Sequence, residues 1–215
     1  MKKSAFTLAE VLITLAIIGV IAAISVPSLI QKTNQAELIT AWKKTYATIS
    51  QAYDKMLFDN GSAGFCATND ITCLRNTFSN YMKVVKSCDT GANDNCWAQH
   101  TWNDGSSDTS YNTKAGVILN SGTSITFFSY SRDCTGTIDM IAPLTNCAAI
   151  LVDVNGFKGP NAVGKDVFGI HLFPDSAVPY GAGSPYIDNY SEGKTRGDNA
   201  KYGFGLSAIN LYKQK

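Results

Sequence analysis

Residues 11–26 read VLITLAIIGVIAAISV, and only Thr14 and Ser25 interrupt the apolar side chains. With residues 6–9 before it and 27–30 after it, the apolar stretch runs for about 25 residues. At ~1.5 Å per residue that is long enough to cross a bilayer. Lys2 and Lys3 precede it, and the positive-inside rule keeps them on the cytoplasmic side with the rest of the chain facing outward. One residue breaks the pattern: Glu10 stands at the start of the run. An ionised side chain in hydrocarbon costs several kcal/mol, and such residues usually mark a function.

A secretory signal peptide would explain the basic start and the apolar middle. The run is long for that purpose, Glu10 sits where the apolar region should begin, and Pro27 flanks the small residues of the IAAIS stretch awkwardly. A plain signal anchor explains the length and leaves Glu10 unexplained. A third reading covers every feature. The stretch KKSAFTLAEVLITLAIIGVIAAISVP resembles the leader and first helix of type IV pilins and type II secretion pseudopilins. The resemblance implies a cut between Ala5 and Phe6 by a membrane-embedded prepilin peptidase, with methylation of the new Phe6 amine. It implies that Glu10 is the membrane glutamate that meets the Phe6 amine of a neighbouring subunit, and that Pro27 is the proline that bends the helix. The chain departs from the family at Ala5, where the family usually has glycine. A buried ion pair is weak as a source of adhesion, because desolvation offsets much of the attraction. The expected product of Glu10 is therefore register, with the apolar faces supplying the bulk of the association. Ala16, Gly19, Ala22 and Ala23 would let helices approach closely.

Helical spacing continues beyond the apolar run. Leu38, Trp42, Tyr46, Ile49, Tyr53 and Met56 recur at steps of three and four, with Ile39, Thr45 and Leu57 widening the stripe. That is an amphipathic helix with one face on a globular domain, expected to stop at Asn60–Gly61. A single helix over residues 6–59, about 54 residues, would be roughly 80 Å long. Pro27 should bend it without ending it.

Downstream, residues 72–86 predict a short helix with Leu74, Phe78, Met82 and Val85 on one face and Thr72 as its cap. Residues 87–115 predict a loop, with Trp97 and Trp102 holding it to the domain. Residues 116–119 and 124–130 read as a β-hairpin, and residues 147–154 and 166–173 as two further strands. The expected class is α+β: a long N-terminal helix, membrane-spanning in its first half, packed by its second half on a small antiparallel sheet. The organisation is a leader over 1–5, a transmembrane and polymerisation helix over 6–30, its amphipathic continuation over 31–60 and a globular head over 61–215. From Asp175 the chain turns to Gly, Ser, Asn, Asp and Tyr and reads as a long loop, with apolar character returning near 202–212. Arg196-Gly197-Asp198 is discounted as a chance match.

The six cysteines, Cys66, Cys73, Cys88, Cys96, Cys134 and Cys147, contain no C-x-x-C pair, and the two histidines, His100 and His171, give a zinc site poor material. An even count behind a membrane-targeting segment reads as disulfides outside the cytoplasm, with neighbours in sequence paired as the simplest connectivity. The stretch DVNGFKGPNAVGKD, residues 153–166, offers Asp153, Asn155, Asn161 and Asp166 as hard oxygen ligands for calcium around glycine turns. It is not an EF-hand, because its twelfth position is Gly164. The plainer reading is a hairpin whose Asp and Asn side chains cap their own backbone.

No nucleophile elbow, P-loop, H-E-x-x-H or dinucleotide fingerprint appears, and the two histidines read as a surface and a strand residue, so no enzyme is expected. The formal charge of +1 and the absence of a Lys/Arg-rich tract give no electrostatic case for nucleic acid. The expected function is a structural subunit of a pilus or secretion pseudopilus. It would sit in the inner membrane as a single-pass protein with its head outside the cytoplasm, and then in a periplasmic or cell-surface filament. The implied partners are copies of itself, other pilins or pseudopilins, the prepilin peptidase and methyltransferase, the inner-membrane assembly platform, and lipid before assembly; no cofactor beyond calcium arises. The alternative is a monomeric membrane-anchored or secreted binding protein with a disulfide-stapled head.

Overall fold

The computed structural model of the chain describes residues 7–91, 93–101, 105–109, 113–135 and 146–179. Ala5, Phe6, Trp102, the Arg196-Gly197-Asp198 triplet and the 202–212 segment lie outside the described residues.

Helix α1 spans Leu8–Asn60 and runs through Pro27. Pro27 has no N–H to offer the carbonyl of Ala23, four residues back. Gly61 follows α1 at φ 73°, the left-handed conformation that ends many helices and that glycine adopts without strain. The chain divides into two compact units between Glu37 and Leu38. In the first, every described residue from Thr7 to Glu37 is exposed.

In the second unit the buried face of α1 consists of Trp42, Thr45, Ile49, Ala52, Tyr53 and Met56, the expected three-and-four spacing. It packs on a six-stranded antiparallel sheet of order β1-β4-β5-β6-β7-β8, giving a pilin-like α+β architecture. The strands are β1 (Val84–Cys88), β4 (Gly116–Leu119), β5 (Ser124–Tyr130), β6 (Ala148–Asp153), β7 (Val167–Leu172) and β8 (Ala177–Pro179), while β2 (His100–Thr101) and β3 (Ser107–Asp108) form a separate pair. Trp42 lies 4.7 Å from the Phe168 ring of β7. Tyr53 stacks on Phe78 at 5.9 Å, and Phe78 meets Phe127 of β5 at 5.5 Å. The polar tips are satisfied: the Tyr53 hydroxyl donates to the carbonyl of Phe173 at 2.6 Å and that of Tyr46 to Ala177 at 3.0 Å. These aromatics are core, with their hydroxyls tying α1 to the sheet margin.

Strands β6 and β7 are buried at every position, which is why AAILVD and VFGIHL read as near-continuous apolar runs rather than as alternations. Helix α2 (Ile71–Ser79) is shorter than the sequence suggested. Its cap is Asp70, whose side chain accepts the Cys73 N–H, not Thr72. Residues 84–88 leave the helical pattern to form edge strand β1 against β4. Val84 and Val85 are β-branched and fit a pleated ladder better than a helix, and Val85 is exposed there. The buried Arg75 guanidinium joins α2 to the end of β1, donating to the Cys88 carbonyl at 2.7 Å and to Asp89 at 2.6 Å.

All six cysteines are paired: Cys66–Cys73, Cys88–Cys96 and Cys134–Cys147, with sequence separations of 7, 8 and 13. The first ties the segment after α1 to α2, the second ties the end of β1 to the turn that follows, and the third ties the segment after β5 to the entry of β6. Loops of this size give about 2–3 kcal/mol each by restricting the unfolded chain, comparable in sum with the net stability of a domain.

Candidate assembly helix and the oxygen-rich loop of the head

Helix α1 is the one described helix long and apolar enough to cross a membrane. Leu8, Val11, Leu12, Ile13, Leu15 and the large apolar residues after them, through Ile30, are all at least 42% exposed. An apolar helical stretch that no described residue covers suits lipid or other helices around it. The Thr14 hydroxyl is turned onto backbone and donates to the Val11 carbonyl at 2.9 Å, which spares the hydrocarbon a free donor. At Gly19 an added Cβ would meet nothing within 4 Å, so the helix surface there is open to a neighbour.

Glu10 is the acidic residue of the first turn. The Thr7 N–H and the Thr7 hydroxyl both donate to Glu10 Oε2 at 2.8 Å, and the Glu10 N–H donates to Thr7 Oγ1 at 3.3 Å. This is a reciprocal capping box: Thr7 and Glu10 satisfy donors that the helix start leaves without partners. A carboxylate is also favoured there by the helix dipole. The sequence reading leaves Glu10 without a partner until assembly. The structure gives it two donors within its own chain, both at Oε2; Oε1 takes no hydrogen bond from Thr7. The signal is present in the sequence as T-L-A-E, the T-x-x-E spacing of a capping box. Ala5 and Phe6, on which processing would act, lie outside the described residues.

In the head, the 153–166 loop joins β6 to β7. Asp153 and Asp166 are both fully buried. Asp166 Oδ2 accepts the Asn161 N–H at 2.9 Å and Oδ1 the Ala162 N–H at 2.7 Å. Asp153 Oδ1 accepts the Asn155 N–H at 3.2 Å, and Asn155 Nδ2 donates to the Gly159 carbonyl at 3.2 Å. Burial, reinforced by the nearby Asp166 charge, pushes the Asp153 carboxyl up to about 8, and burial raises Asp166 as well. The left-handed positions are Gly156 (φ 64°), Asn161 (φ 48°) and Gly164 (φ 80°), residue types that tolerate that conformation. The loop therefore brings Asp153, Asn155, Asn161 and Asp166 together. It also adds the Gly156 and Lys158 carbonyls, which no side-chain pattern announces.

His100 is buried rather than on the surface, and accepts from Trp97 Nε1 at 3.2 Å. A neutral ring nitrogen and an indole N–H complement each other, which is what lets this loop histidine pack inside. His171 is fully buried in β7, and desolvation pushes it down to about 3, so it is neutral at any ordinary pH. Among the described residues no group of three or more His, Cys, Asp or Glu side chains is placed to hold a metal.

No curated protein and no solved structure matches the chain. Residues 1–26 match the family model described as the prokaryotic N-terminal methylation motif. The match covers Phe6, Glu10 and most of the apolar run, and the chain carries a type IV pilin- or pseudopilin-like prepilin segment.

Proposed function

We propose that this chain is a structural subunit of a type IV pilus or type II secretion pseudopilus. A prepilin peptidase cuts it between Ala5 and Phe6, the new amine is methylated, and the subunit polymerises through residues 6–30. Before assembly it is a single-pass inner-membrane protein with its head outside the cytoplasm. Afterwards its helix is surrounded by the helices of other pilins and its head forms part of a periplasmic or surface fibre. The observation that carries this reading is an apolar, exposed stretch of α1 over residues 8–30 whose one carboxylate, Glu10, is held at the first turn by two Thr7 donors at Oε2. That carboxylate suits a neighbouring subunit's Phe6 amine. Pairing of opposite charges in low dielectric is strong but offset by desolvation, so it sets the axial position of one helix against the next while apolar contact holds them together. The three disulfides suit an extracytoplasmic head. No catalytic step is assigned to this chain; cutting and methylation belong to its partners.

The test is the distribution of the full chain between membrane and sheared-filament fractions, in cells with and without the prepilin peptidase and the assembly platform. The subunit is expected in sheared filaments only when both are present, and in the membrane when either is missing. Export of the head as a soluble protein, independent of the peptidase, would favour the anchored or secreted monomer and overturn the filament role.

A further inference from the structure

The dipeptide Asn-Gly occurs twice in the chain, at Asn60–Gly61 and at Asn155–Gly156. Such a pair is prone to spontaneous loss of the side-chain amide, because glycine leaves the following backbone nitrogen free to reach the asparagine carbonyl carbon. The fold treats the two pairs differently. At Asn155–Gly156 the glycine is buried, and its N–H is engaged by the Asp153 carboxylate. A Cβ built on Gly156 would overlap the Gly122 carbonyl oxygen, so that backbone has little room to turn. The Asn155 amide is held as well, donating to the Gly159 carbonyl at 3.2 Å.

At Asn60–Gly61 both residues are exposed. Asn60 is the last residue of α1, and nothing lies within 4 Å of a Cβ built on Gly61. The next helix, α2, begins only at Ile71. The Asn60 side chain nevertheless has a task. Its Nδ2 donates to the Met56 carbonyl at 2.8 Å, one of the acceptors that a helix end leaves open. It also hydrogen-bonds the Tyr81 hydroxyl, which bonds Asp59 in turn. The amide therefore ties the end of α1 to the segment between α2 and β1.

We propose that Asn60 is a deamidation site and that its conversion loosens the end of α1. The Gly61 backbone nitrogen attacks the Asn60 side-chain carbonyl carbon. The new C–N bond closes a succinimide ring, the bond to Nδ2 breaks, and ammonia leaves with the Gly61 amide proton. Water then opens the ring at either carbonyl, giving aspartate or isoaspartate with no change of oxidation state. Either product replaces an N–H donor by a carboxylate. The Met56 carbonyl loses that partner, and a second negative charge appears beside Asp59 at the helix end, where the helix dipole disfavours anions. Isoaspartate also adds one carbon to the backbone between α1 and the Cys66–Cys73 disulfide.

The experiment incubates the detergent-solubilised full chain in mildly alkaline buffer, either folded or denatured in urea with its disulfides intact. Peptide mapping by mass spectrometry follows amide-to-acid conversion at each asparagine, and an isoaspartyl methyltransferase with a labelled methyl donor counts isoaspartate. In the folded chain Asn60 should convert at least ~tenfold faster than Asn155, since the buried pair must open locally before it can react. In urea the two rates should converge. Gly61→Ala should slow conversion at Asn60 at least ~tenfold, because a Cβ restricts the backbone freedom that the attack uses. Asn60→Asp, a stand-in for the aspartate product, should lower the thermal midpoint by roughly 2–5 °C. Conversion at Asn60 no faster than at Asn155 in the folded chain, or the same ratio of rates in urea, would overturn the site. An Asn60→Asp midpoint equal to the parent's would overturn the loosening.

Discussion

Replacing Glu10 by glutamine is expected to leave the subunit in the membrane and to exclude it from filaments. The substitution separates two roles that one carboxylate fills. At the helix start Glu10 Oε2 receives the Thr7 N–H and hydroxyl, and glutamine can take the same place in a capping box. What glutamine lacks is charge. If Glu10 meets a neighbour's Phe6 amine, the variant loses that pairing and leaves an ammonium group in hydrocarbon, a cost of several kcal/mol. Each 1.4 kcal/mol is about a factor of ten in association, so the filament fraction should fall at least ~tenfold. Membrane insertion should be unchanged or improved, because a neutral residue enters hydrocarbon more readily. Glu10→Ala should fail to assemble as well, with a further loss of about 1 kcal/mol of helix-start stability. If glutamine assembles like the parent and only alanine fails, Glu10 is a cap and nothing more, and the amine pairing is wrong. Quantitative immunoblotting of sheared and membrane fractions reads all three cases.

The largest stability effect is expected at Gly156. Its φ of 64° is strained for any residue with a Cβ, and a Cβ built there would overlap the Gly122 carbonyl oxygen. That oxygen is backbone within a tight turn, so the clash cannot be relieved by a side-chain rotation. Gly156→Ala should cost about 1 kcal/mol for the left-handed conformation and a further ~1–3 kcal/mol for the overlap. That is a midpoint drop of roughly 5–15 °C for a domain of this size. Gly61 supplies the control: it has a similar φ of 73°, but nothing lies within 4 Å of its built Cβ. Gly61→Ala should therefore show only the first part, a few degrees. Equal midpoints for the two variants, measured by circular dichroism, would show that the 156–122 approach is not a tight one.

What is legible in the sequence follows from period and punctuation. The three-and-four spacing of Trp42, Ile49, Tyr53 and Met56 names the buried face of α1, and Asn60–Gly61 marks its end. The central strands β4 to β7 lie where apolar runs meet turn residues. The differences have local causes. Leu74, Phe78 and Met82 do share a buried side, so the helical pattern continues on paper into Val84 and Val85. There, pairing with β4 outweighs the spacing and makes an edge strand. Asp70 rather than Thr72 caps α2, because the helix begins earlier than its apolar spacing suggests. His100 lies in a polar stretch and is nevertheless buried, because its partner is the Trp97 indole; that pairing depends on how the loop folds back, which local composition does not encode. In the 153–166 loop the side-chain oxygens are visible as residue types. Their backbone partners, such as the Gly159 carbonyl that accepts from Asn155 Nδ2 and the Asn161 and Ala162 N–H groups that donate to Asp166, leave no trace in residue identity. For the assembly helix the apolar length and the isolated glutamate are plain, and the T-x-x-E box that engages the glutamate can be read with them.

The N-terminal residue of the protein recovered from sheared filaments tests the filament reading most directly. Mass spectrometry of the N-terminal peptide should find residues 1–5 absent and Phe6 carrying a methylated amine. A chain that still begins at Met1, or one cut after Ala22 or Ala23, would have no Phe6 amine to meet Glu10 of its neighbour, and the assembly role assigned to this helix would fall.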